Sequence, residues 1–229
     1  MRDVKVIAFD ADDTLWVNEP YFRETEQAFC NLLKAYLPEE SINNVLFKNE
    51  IGNIPLYGYG VKGFMLSMIE TVSEITNNSG DLELINKTIA LGKEMLNKPI
   101  ELINGVENLL KSLNSDYKLV LATKGDLLDQ ERKLNKSGLE EHFHHVEVMS
   151  DKKSTDYSKL LKNLDCKPEH FLMIGNSVKS DVLPVLEIGA KAIHVPFHTT
   201  WVHEEVKENT NGFEFLKVST ISEISKFLR

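Results

Sequence analysis

The sequence lacks a long apolar run and contains few cysteines. A membrane-spanning helix needs about 20 consecutive apolar residues, and every apolar stretch here is much shorter. Cys30 and Cys166 are the two cysteines of the 229 residues, and they have neither metal-binding nor redox spacing. The residues before Asp10 form a short apolar stretch without a small-residue cleavage site, which predicts a buried strand rather than a signal peptide. We therefore expect a cytoplasmic protein that does not enter a membrane.

Basic residues are also fewer than acidic residues. The 26 lysines and arginines are outnumbered by 35 aspartates and glutamates, giving a formal net charge of −9. Nucleic acid polymers and anionic membrane surfaces are attracted to basic surfaces, so neither is expected as a partner. An anionic ligand would need a metal ion or a few local cations to hold it against this overall charge. Nothing in the sequence demands an oligomer, and a monomer is compatible with it.

Continuous apolar runs predict a parallel sheet. The first run ends at Phe9, and similar β-branched or aliphatic runs follow with helical patterns between them. Strands buried on both faces have this composition, and strands that alternate with helices form parallel sheets with right-handed crossovers. The sequence therefore predicts an α/β fold with a doubly wound, parallel, Rossmann-like sheet. Its strands are expected at Val4–Phe9, Tyr117–Thr123, His145–Met149, Phe171–Gly175 and Lys191–Pro196.

The region after the first strand has a different pattern. Between residues 18 and 99, apolar residues recur at spacings of three and four, which predicts amphipathic helices. A core domain of residues 1–17 and 100–229 would then be interrupted by a helical domain of residues 18–99. The four helices are expected at Phe22–Leu37, Ser41–Glu50, Lys62–Ile75 and Asp81–Leu96. A glycine-rich stretch from Gly52 to Gly63 predicts a loop between two of them, which either faces a substrate or only connects the helices.

Two aspartates follow the first strand. Ligands of open α/β sheets bind outside the carboxyl ends of the strands, so polar residues at these ends are candidates for a site. Asp10 and Asp12 are two residues apart, and a local turn would bring their side chains together. Crowded carboxylates repel each other unless a cation lies among them. A solvated acidic turn is the alternative interpretation of this segment.

Later strand ends carry complementary groups. Thr123 and Lys124 end the second long run and precede a glycine, an arrangement that either binds an anion or forms an ordinary turn. Asn176 and Asp181 follow the FLMIG run and offer the hard oxygen ligands that suit Mg²⁺. The alternative is that Ser180 or Asp181 only caps the following helix. Lysines 152 and 153 lie between these two segments, where one of them either neutralises an anion or is simply solvated.

The order of these motifs resembles that of the haloacid dehalogenase-like hydrolase superfamily. A DxDxT segment, a threonine, a lysine and a GNSxxSD segment follow successive strands, and the resemblance covers the whole chain. The resemblance implies a phosphatase whose helical cap is inserted after the first motif. A catalytic site of this type would act on a small phosphorylated metabolite, either a nucleotide or a sugar phosphate.

The resemblance also implies a role for each motif residue. Asp10 would attack phosphorus and form an aspartyl-phosphate, and Asp12 would be the general acid and base. Thr123 and the amide of Lys124 would bind the phosphate, and Lys152, with Lys153 as the competing choice, would stabilise the negative charge. Mg²⁺ would be bound by Asp10, the main-chain carbonyl of Asp12, Asn176 and Asp181. The resemblance gives the metal ligands as these four residues.

Two departures from the family pattern matter. Many members have aspartate where this chain has Asn176, so Asp181 would take a larger share of metal binding or Mg²⁺ would bind more weakly. The dehalogenases of the family lack the second aspartate of the DxD pair, and the presence of Asp12 favours phosphoryl transfer. A sugar phosphomutase and a non-catalytic metabolite-binding protein remain as alternatives. Residues near Trp16 and Arg23 are expected either to pack a hinge or to touch the leaving group.

Overall fold

Six parallel strands form a single sheet. In the computed structural model, which describes residues 3–77, 79, 82–205 and 212–228, the strand order is β3-β2-β1-β4-β5-β6. The strands are β1 (Val6–Phe9), β2 (Lys118–Lys124), β3 (His145–Met149), β4 (Phe171–Gly175), β5 (Lys191–His194) and β6 (Leu216–Lys217). The predicted α/β class and parallel sheet are confirmed. β6, a two-residue edge strand, was not expected from the sequence.

Eight α-helices are found among the described residues. They are α1 (Glu19–Leu33), α2 (Glu39–Tyr57), α3 (Val61–Ile75), α4 (Leu82–Asn97), α5 (Val106–Leu113), α6 (Leu127–Ser137), α7 (Ser154–Asn163) and α8 (Leu183–Glu187). A π-helical turn, Val178–Val182, precedes α8. Asp81, the expected start of α4, lies outside the described residues.

The two faces of the sheet are covered by different helices. Along β1, Ile7 and Phe9 point into one apolar cluster with α5, whereas Val6 and Ala8 point into a second cluster with α7 and α8. All four side chains are buried, as expected for a central strand with a period-two alternation of faces. Since both faces of β1 are covered, the loop that follows Phe9 is held rigidly at the carboxyl edge.

The contacts divide the chain into two compact units. One unit contains residues 1–19, 100–124 and 130–229, and the other contains residues 20–99 and 125–129. The helical unit has its own apolar core of α1–α4, to which α3 contributes Val61, Phe64, Met68 and Val72 at spacings of three and four. Within this unit, Lys62 Nζ lies 2.9 Å from an Asp126 carboxylate oxygen.

The expected loop from Gly52 to Gly63 is wrong for most of its length. Helix α2 continues through Gly52 and Pro55 to Tyr57, and only three residues separate it from α3. Buried Asn53 donates hydrogen bonds to Ser67 Oγ at 3.1 Å and to a Glu70 carboxylate oxygen at 2.8 Å, which fixes this last part of α2 against α3. Gly58 then ends α2 with a φ of 73°, a conformation that favours glycine.

Candidate active site

The carboxyl edge of the sheet brings the predicted residues together around one lysine. Lys152 Nζ lies 2.6 Å from Asp10 Oδ1 and 2.7 Å from Asp181 Oδ1, and all three side chains are buried. Lys153 instead has a largely exposed side chain and pairs with Asp151 at 3.0 Å. The structure therefore directs Lys152, rather than Lys153, toward the two aspartates.

Burial and charge balance set the protonation of this cluster. Burial alone would lower the pKa of Lys152, but the carboxylates of Asp10 and Asp181 raise it well above its usual value. Burial raises the pKa of Asp10 to about 7, and the nearby Lys152 opposes that rise. When both buried carboxylates are ionised, the cluster carries one negative charge more than Lys152 neutralises, and this excess charge opposes the ionisation of Asp10.

Thr14 connects Asp10 to the loop after β4. Its hydroxyl donates to Asp10 Oδ2 at 3.0 Å, lies 3.3 Å from Asn176 Oδ1 and accepts a hydrogen bond from the Asn176 amide at 3.1 Å. A carboxylate oxygen of Asp10 and the amide oxygen of Asn176 thus approach the same atom. Thr14, the last residue of the DxDxT segment, therefore connects Asp10 to the loop after β4, a role that the sequence analysis did not assign to it.

The donor set around Asp10 fits a hard divalent cation. Asp10 and Asp181 are carboxylates and Asn176 offers an amide oxygen, which are the ligand types that Mg²⁺ prefers. The uncompensated negative charge beside Lys152 gives such a cation an electrostatic reason to bind. Among the described residues, no group of three His, Cys, Asp or Glu side chains is arranged to hold a metal ion, so the amide of Asn176 and a main-chain carbonyl would have to complete the set.

Asp181 is held by two partners and by a glycine. Oδ1 bonds to Lys152, and Oδ2 accepts a hydrogen bond from the Ser177 amide at 2.9 Å. A Cβ atom at Gly175 would lie 2.2 Å from Asp181 Oδ2, closer than atoms can approach. Glycine at the end of β4 therefore makes room for Asp181 beneath the loop.

Asp12 lies among three hydrogen-bond donors. The indole Nε1 of Trp16 and Nζ of Lys133 donate to Oδ1 at 2.7 and 2.9 Å. The amide Nε2 of Gln130 donates to Oδ2 at 3.0 Å. Trp16 is fully buried, so it packs within the protein as one of the two interpretations expected, and its indole N–H also holds Asp12. The sequence analysis did not select Gln130 and Lys133, because the sequence offers no signal beyond two polar residues three apart in the helix after β2.

Thr123 and Lys124 are placed at the end of β2, as their sequence position required. Thr123 is buried, and its Oγ1 accepts a hydrogen bond from Gln130 Nε2 at 2.9 Å. The side chain of Lys124 turns toward the β4 loop, where Nζ donates to Ser180 Oγ at 3.0 Å and pairs with Glu204 at 2.5 Å. The ammonium group of Lys124 is therefore engaged within the protein.

Glu204 is a further residue that the sequence gave no reason to select. It is mostly buried and accepts hydrogen bonds from Ser177 Oγ at 2.5 Å and Ser180 Oγ at 2.6 Å besides pairing with Lys124. Burial alone would raise the pKa of Glu204, but Lys124 and the two hydroxyl groups lower it to about 2. Glu204 thus links the end of β2 to the loop after β4.

Comparison with known proteins identifies the family. The family model of haloacid dehalogenase-like hydrolases matches residues 4–189. A haloacid dehalogenase-like family hydrolase from Xanthomonas campestris is 38% identical, with a TM-score of 0.82 over 92% of this chain and 88% of that chain. The chain belongs to the haloacid dehalogenase-like hydrolase family, and its sheet is the Rossmann-like sheet of that family.

Two curated relatives carry a more specific name. A glyceraldehyde 3-phosphate phosphatase from Methanothermobacter thermautotrophicus is 26% identical, and the match covers 98% of this chain and all of the relative. Another protein with the same name, from Pyrococcus furiosus, is 25% identical over 84% of this chain and 81% of its own length.

The structure also has no helix, within its described residues, of the length and apolarity that crossing a membrane requires.

Proposed function

We propose that this protein is a Mg²⁺-dependent phosphatase that hydrolyses a small phosphomonoester through an aspartyl-phosphate. The observation that carries the proposal is the buried cluster in which Lys152 lies within 2.7 Å of both Asp10 and Asp181. An anionic nucleophile attacks an anionic phosphate ester only where positive charge reduces their repulsion. The names of the two curated relatives support a small sugar phosphate as the substrate class.

Asp10 is the proposed nucleophile. Thr14 holds Oδ2 and Lys152 holds Oδ1, so the carboxylate is fixed in orientation before substrate binds. Attack of a carboxylate oxygen on phosphorus forms the aspartyl-phosphate and breaks the bond to the leaving oxygen. Thr123 would donate its hydroxyl hydrogen to a phosphoryl oxygen, with the main-chain amide of Lys124 beside it, and Lys152 would stabilise the developing charge.

Asp12 is the proposed acid and base. It would protonate the leaving alcohol oxygen in the first half-reaction and remove a proton from the attacking water in the second. Asp10, the main-chain carbonyl of Asp12, Asn176 and Asp181 would hold the metal ion. When bound, Mg²⁺ supplies positive charge that reduces the repulsion between the nucleophile and the phosphoryl group. Asn176 is the proposed direct ligand because of its position at the end of β4, and Asp181 would share the metal directly or through water.

The inserted helices of residues 18–99 are the proposed cap, which would exclude water and select the substrate. We also propose a cytoplasmic location, which suits the free thiols of Cys30 and Cys166.

Phosphate release from a panel of esters tests this function. The panel contains glyceraldehyde 3-phosphate, hexose phosphates and nucleoside monophosphates, assayed with Mg²⁺ and with a chelator. We expect Mg²⁺-dependent release that the Asp10→Asn variant abolishes. Acid quenching during turnover should leave a phosphoryl group on the peptide that contains Asp10. Isomer formation without free phosphate would indicate a phosphomutase instead, and neither product would indicate a binding protein.

A further inference from the structure

The position of Asp12 depends on two residues of α6, Gln130 and Lys133. Trp16 is only four residues from Asp12, whereas the α6 residues come from a helix more than a hundred residues later in the chain. Lys133 Nζ also donates to Asn18 Oδ1 at 2.8 Å, so its ammonium group is fixed between two acceptors. The side chains of Lys133 and Asp12 are 14% and 24% exposed, so water screens this contact only in part.

All three partners of Asp12 donate hydrogen bonds. An indole N–H, an ammonium group and an amide nitrogen have no lone pair to accept a proton from a carboxyl group in these positions. They fix the plane of the Asp12 carboxyl group with both oxygens engaged. A proton on Asp12 must therefore lie on an oxygen lone pair that these three donors leave free.

Gln130 connects this carboxyl group to the proposed phosphate anchor. Its Nε2 faces Asp12 Oδ2, Thr123 Oγ1 and the Lys124 carbonyl at distances between 2.9 and 3.0 Å. Because a carboxylate and a carbonyl oxygen only accept hydrogen bonds, the nitrogen of the amide must be the atom that faces them. The hydroxyl of Thr123 accepts from Gln130, and its own hydrogen has only a long contact of 3.5 Å to the Lys124 carbonyl, which a phosphoryl oxygen would replace.

We propose that Gln130 and Lys133 are positioning residues that hold Asp12 in place for proton transfer to the leaving group. This inference rests on the proposed phosphatase function. Its consequence concerns the leaving group rather than the phosphoryl group: a strongly basic alkoxide needs a proton as the ester bond breaks, whereas 4-nitrophenolate leaves without one. Loss of positioning should therefore harm alkyl esters selectively.

The test compares kcat/KM for two esters. One is the alkyl phosphomonoester of the panel that the wild type hydrolyses fastest, and the other is 4-nitrophenyl phosphate. The parameter kcat/KM includes steps only up to the transfer of the phosphoryl group to Asp10, so the later role of Asp12 as a base does not enter. Asp12→Asn measures how far the ratio of alkyl to aryl kcat/KM falls when the general acid is lost completely, since general acid catalysis contributes roughly 10²–10⁴-fold.

We expect Lys133→Met to lower the ratio of alkyl to aryl kcat/KM by about 10–100-fold, a part of the general-acid contribution. Lys133→Arg, which retains a cationic donor, should recover much of the ratio. Gln130→Leu should lower kcat/KM for both esters, because Thr123 also loses the hydrogen bond from Gln130. The fall should be larger for the alkyl ester. Lys136→Met removes the same charge from an exposed position of α6 and should leave both values unchanged.

An unchanged ratio in both Lys133→Met and Gln130→Leu would overturn the inference. An equal fall for both esters in Lys133→Met would also overturn it, since it would assign Lys133 to phosphate binding or to folding. Urea unfolding of each variant identifies a folding defect, and Gln130→Leu supplies an independent measurement if Lys133→Met is unstable. If the wild type released phosphate from neither ester, the proposed function itself would fall and the inference with it.

Discussion

At the scale of single residues, the balance of buried charge around Lys152 dominates the site. The ammonium group bridges two buried carboxylates, and removing one partner of a buried ion pair leaves an uncompensated charge. The neighbouring lysine, Lys153, offers a matched comparison because its side chain is largely exposed and pairs with Asp151 at the surface. We therefore expect the two adjacent lysines to contribute very differently to the free energy of unfolding.

Lys152→Met should lower the free energy of unfolding by about 3–5 kcal/mol in the presence of a chelator. It should also abolish phosphate release, since the variant retains the negative charge of Asp10 and Asp181 without the cation that stabilises it. Urea denaturation and the phosphate assay measure the two effects. Lys153→Met should change stability by less than about 1 kcal/mol, as expected for an exposed pair, and equal losses in the two variants would contradict our assignment.

Asp13 supports the start of α1 and has an unusual backbone conformation. Its carboxyl group accepts hydrogen bonds from the amides of Asn18 at 2.9 Å and Glu19 at 3.0 Å, and its φ is 60°. Burial raises the pKa of Asp13 to about 8, so a neutral side chain of the same shape is expected to fit. Asparagine also tolerates the left-handed conformation better than alanine does.

Asp13→Ala should therefore lower the free energy of unfolding by about 1–3 kcal/mol, because it loses both the acceptor at the helix start and the tolerance of a positive φ. Asp13→Asn should lose less than half as much. Denaturant unfolding of the two variants measures the difference. Equal destabilisation by alanine and asparagine would indicate that the charge of Asp13, rather than its shape, is required.

At the scale of elements, the junction between β4 and its following turn is the tightest part of the site. A Cβ at Gly175 would meet Oδ2, Cγ and Cβ of Asp181 within 2.6 Å. The side chain of Asp181 would have to move, and its bonds to Lys152 and the Ser177 amide would be lost or lengthened. This strand end is thus shaped by a contact between main chain and side chain.

Gly175→Ala should lower stability by about 1–3 kcal/mol, typical of overpacking, and should weaken the stabilisation of the protein by Mg²⁺. Thermal unfolding with and without Mg²⁺ measures both. Gly52→Ala provides the control, because the space around Gly52 in α2 is open and alanine favours a helix by about 1 kcal/mol. A variant at Gly175 with wild-type stability and an unchanged response to Mg²⁺ would contradict the argument.

Elements differ in how well the sequence predicts them. β1, β2 and β4 are evident because strands buried on both faces need continuous apolar residues. β6 has only two residues and no pattern of its own. The extension of α2 through Pro55 depends on tertiary hydrogen bonds of Asn53, which local propensity does not contain.

The site can be predicted from the sequence as far as its residues follow directly from the strand assignments. Parallel strands end at one edge, so Asp10, Thr123 and Asn176 had to lie near each other once the strands were assigned. The choice of Lys152 over Lys153 required the orientation of the segment before α7. Gln130 and Glu204 act through long-range contacts to residues at other strand ends, and no spacing in the sequence indicates such contacts.

At the scale of the whole molecule, Glu204 ties a segment near the end of the chain to the carboxyl edge of the sheet. Its pKa of about 2 is below the ordinary value of 4.5, so the folded state favours its charged form. The stabilisation is fully present above about pH 4.5 and is lost as the pH falls toward 2. A shift of this size corresponds to a contribution on the order of 3 kcal/mol.

Glu204→Gln should therefore be less stable than the wild type at pH 7, and the difference should shrink as the pH falls below about 4.5. Urea unfolding at pH 7, 5, 4 and 3.5 follows this change. Glu205→Gln, one residue further along, is the matched control for loss of a carboxylate. A difference between wild type and Glu204→Gln that stays constant over this pH range would contradict the assigned charge state.

The central position of β1 has a consequence for synthesis on the ribosome. β1 is made first, yet Phe9 pairs with Leu121 on one side and with Ile174 on the other. At typical elongation rates of about 5–20 residues per second, the first of these partners emerges on the order of ten seconds later. During that interval the helical core of α1–α4 is complete and able to bury its own apolar residues. The nascent chain therefore carries an unpaired apolar strand in front of helices α1–α4 until β2 is synthesised.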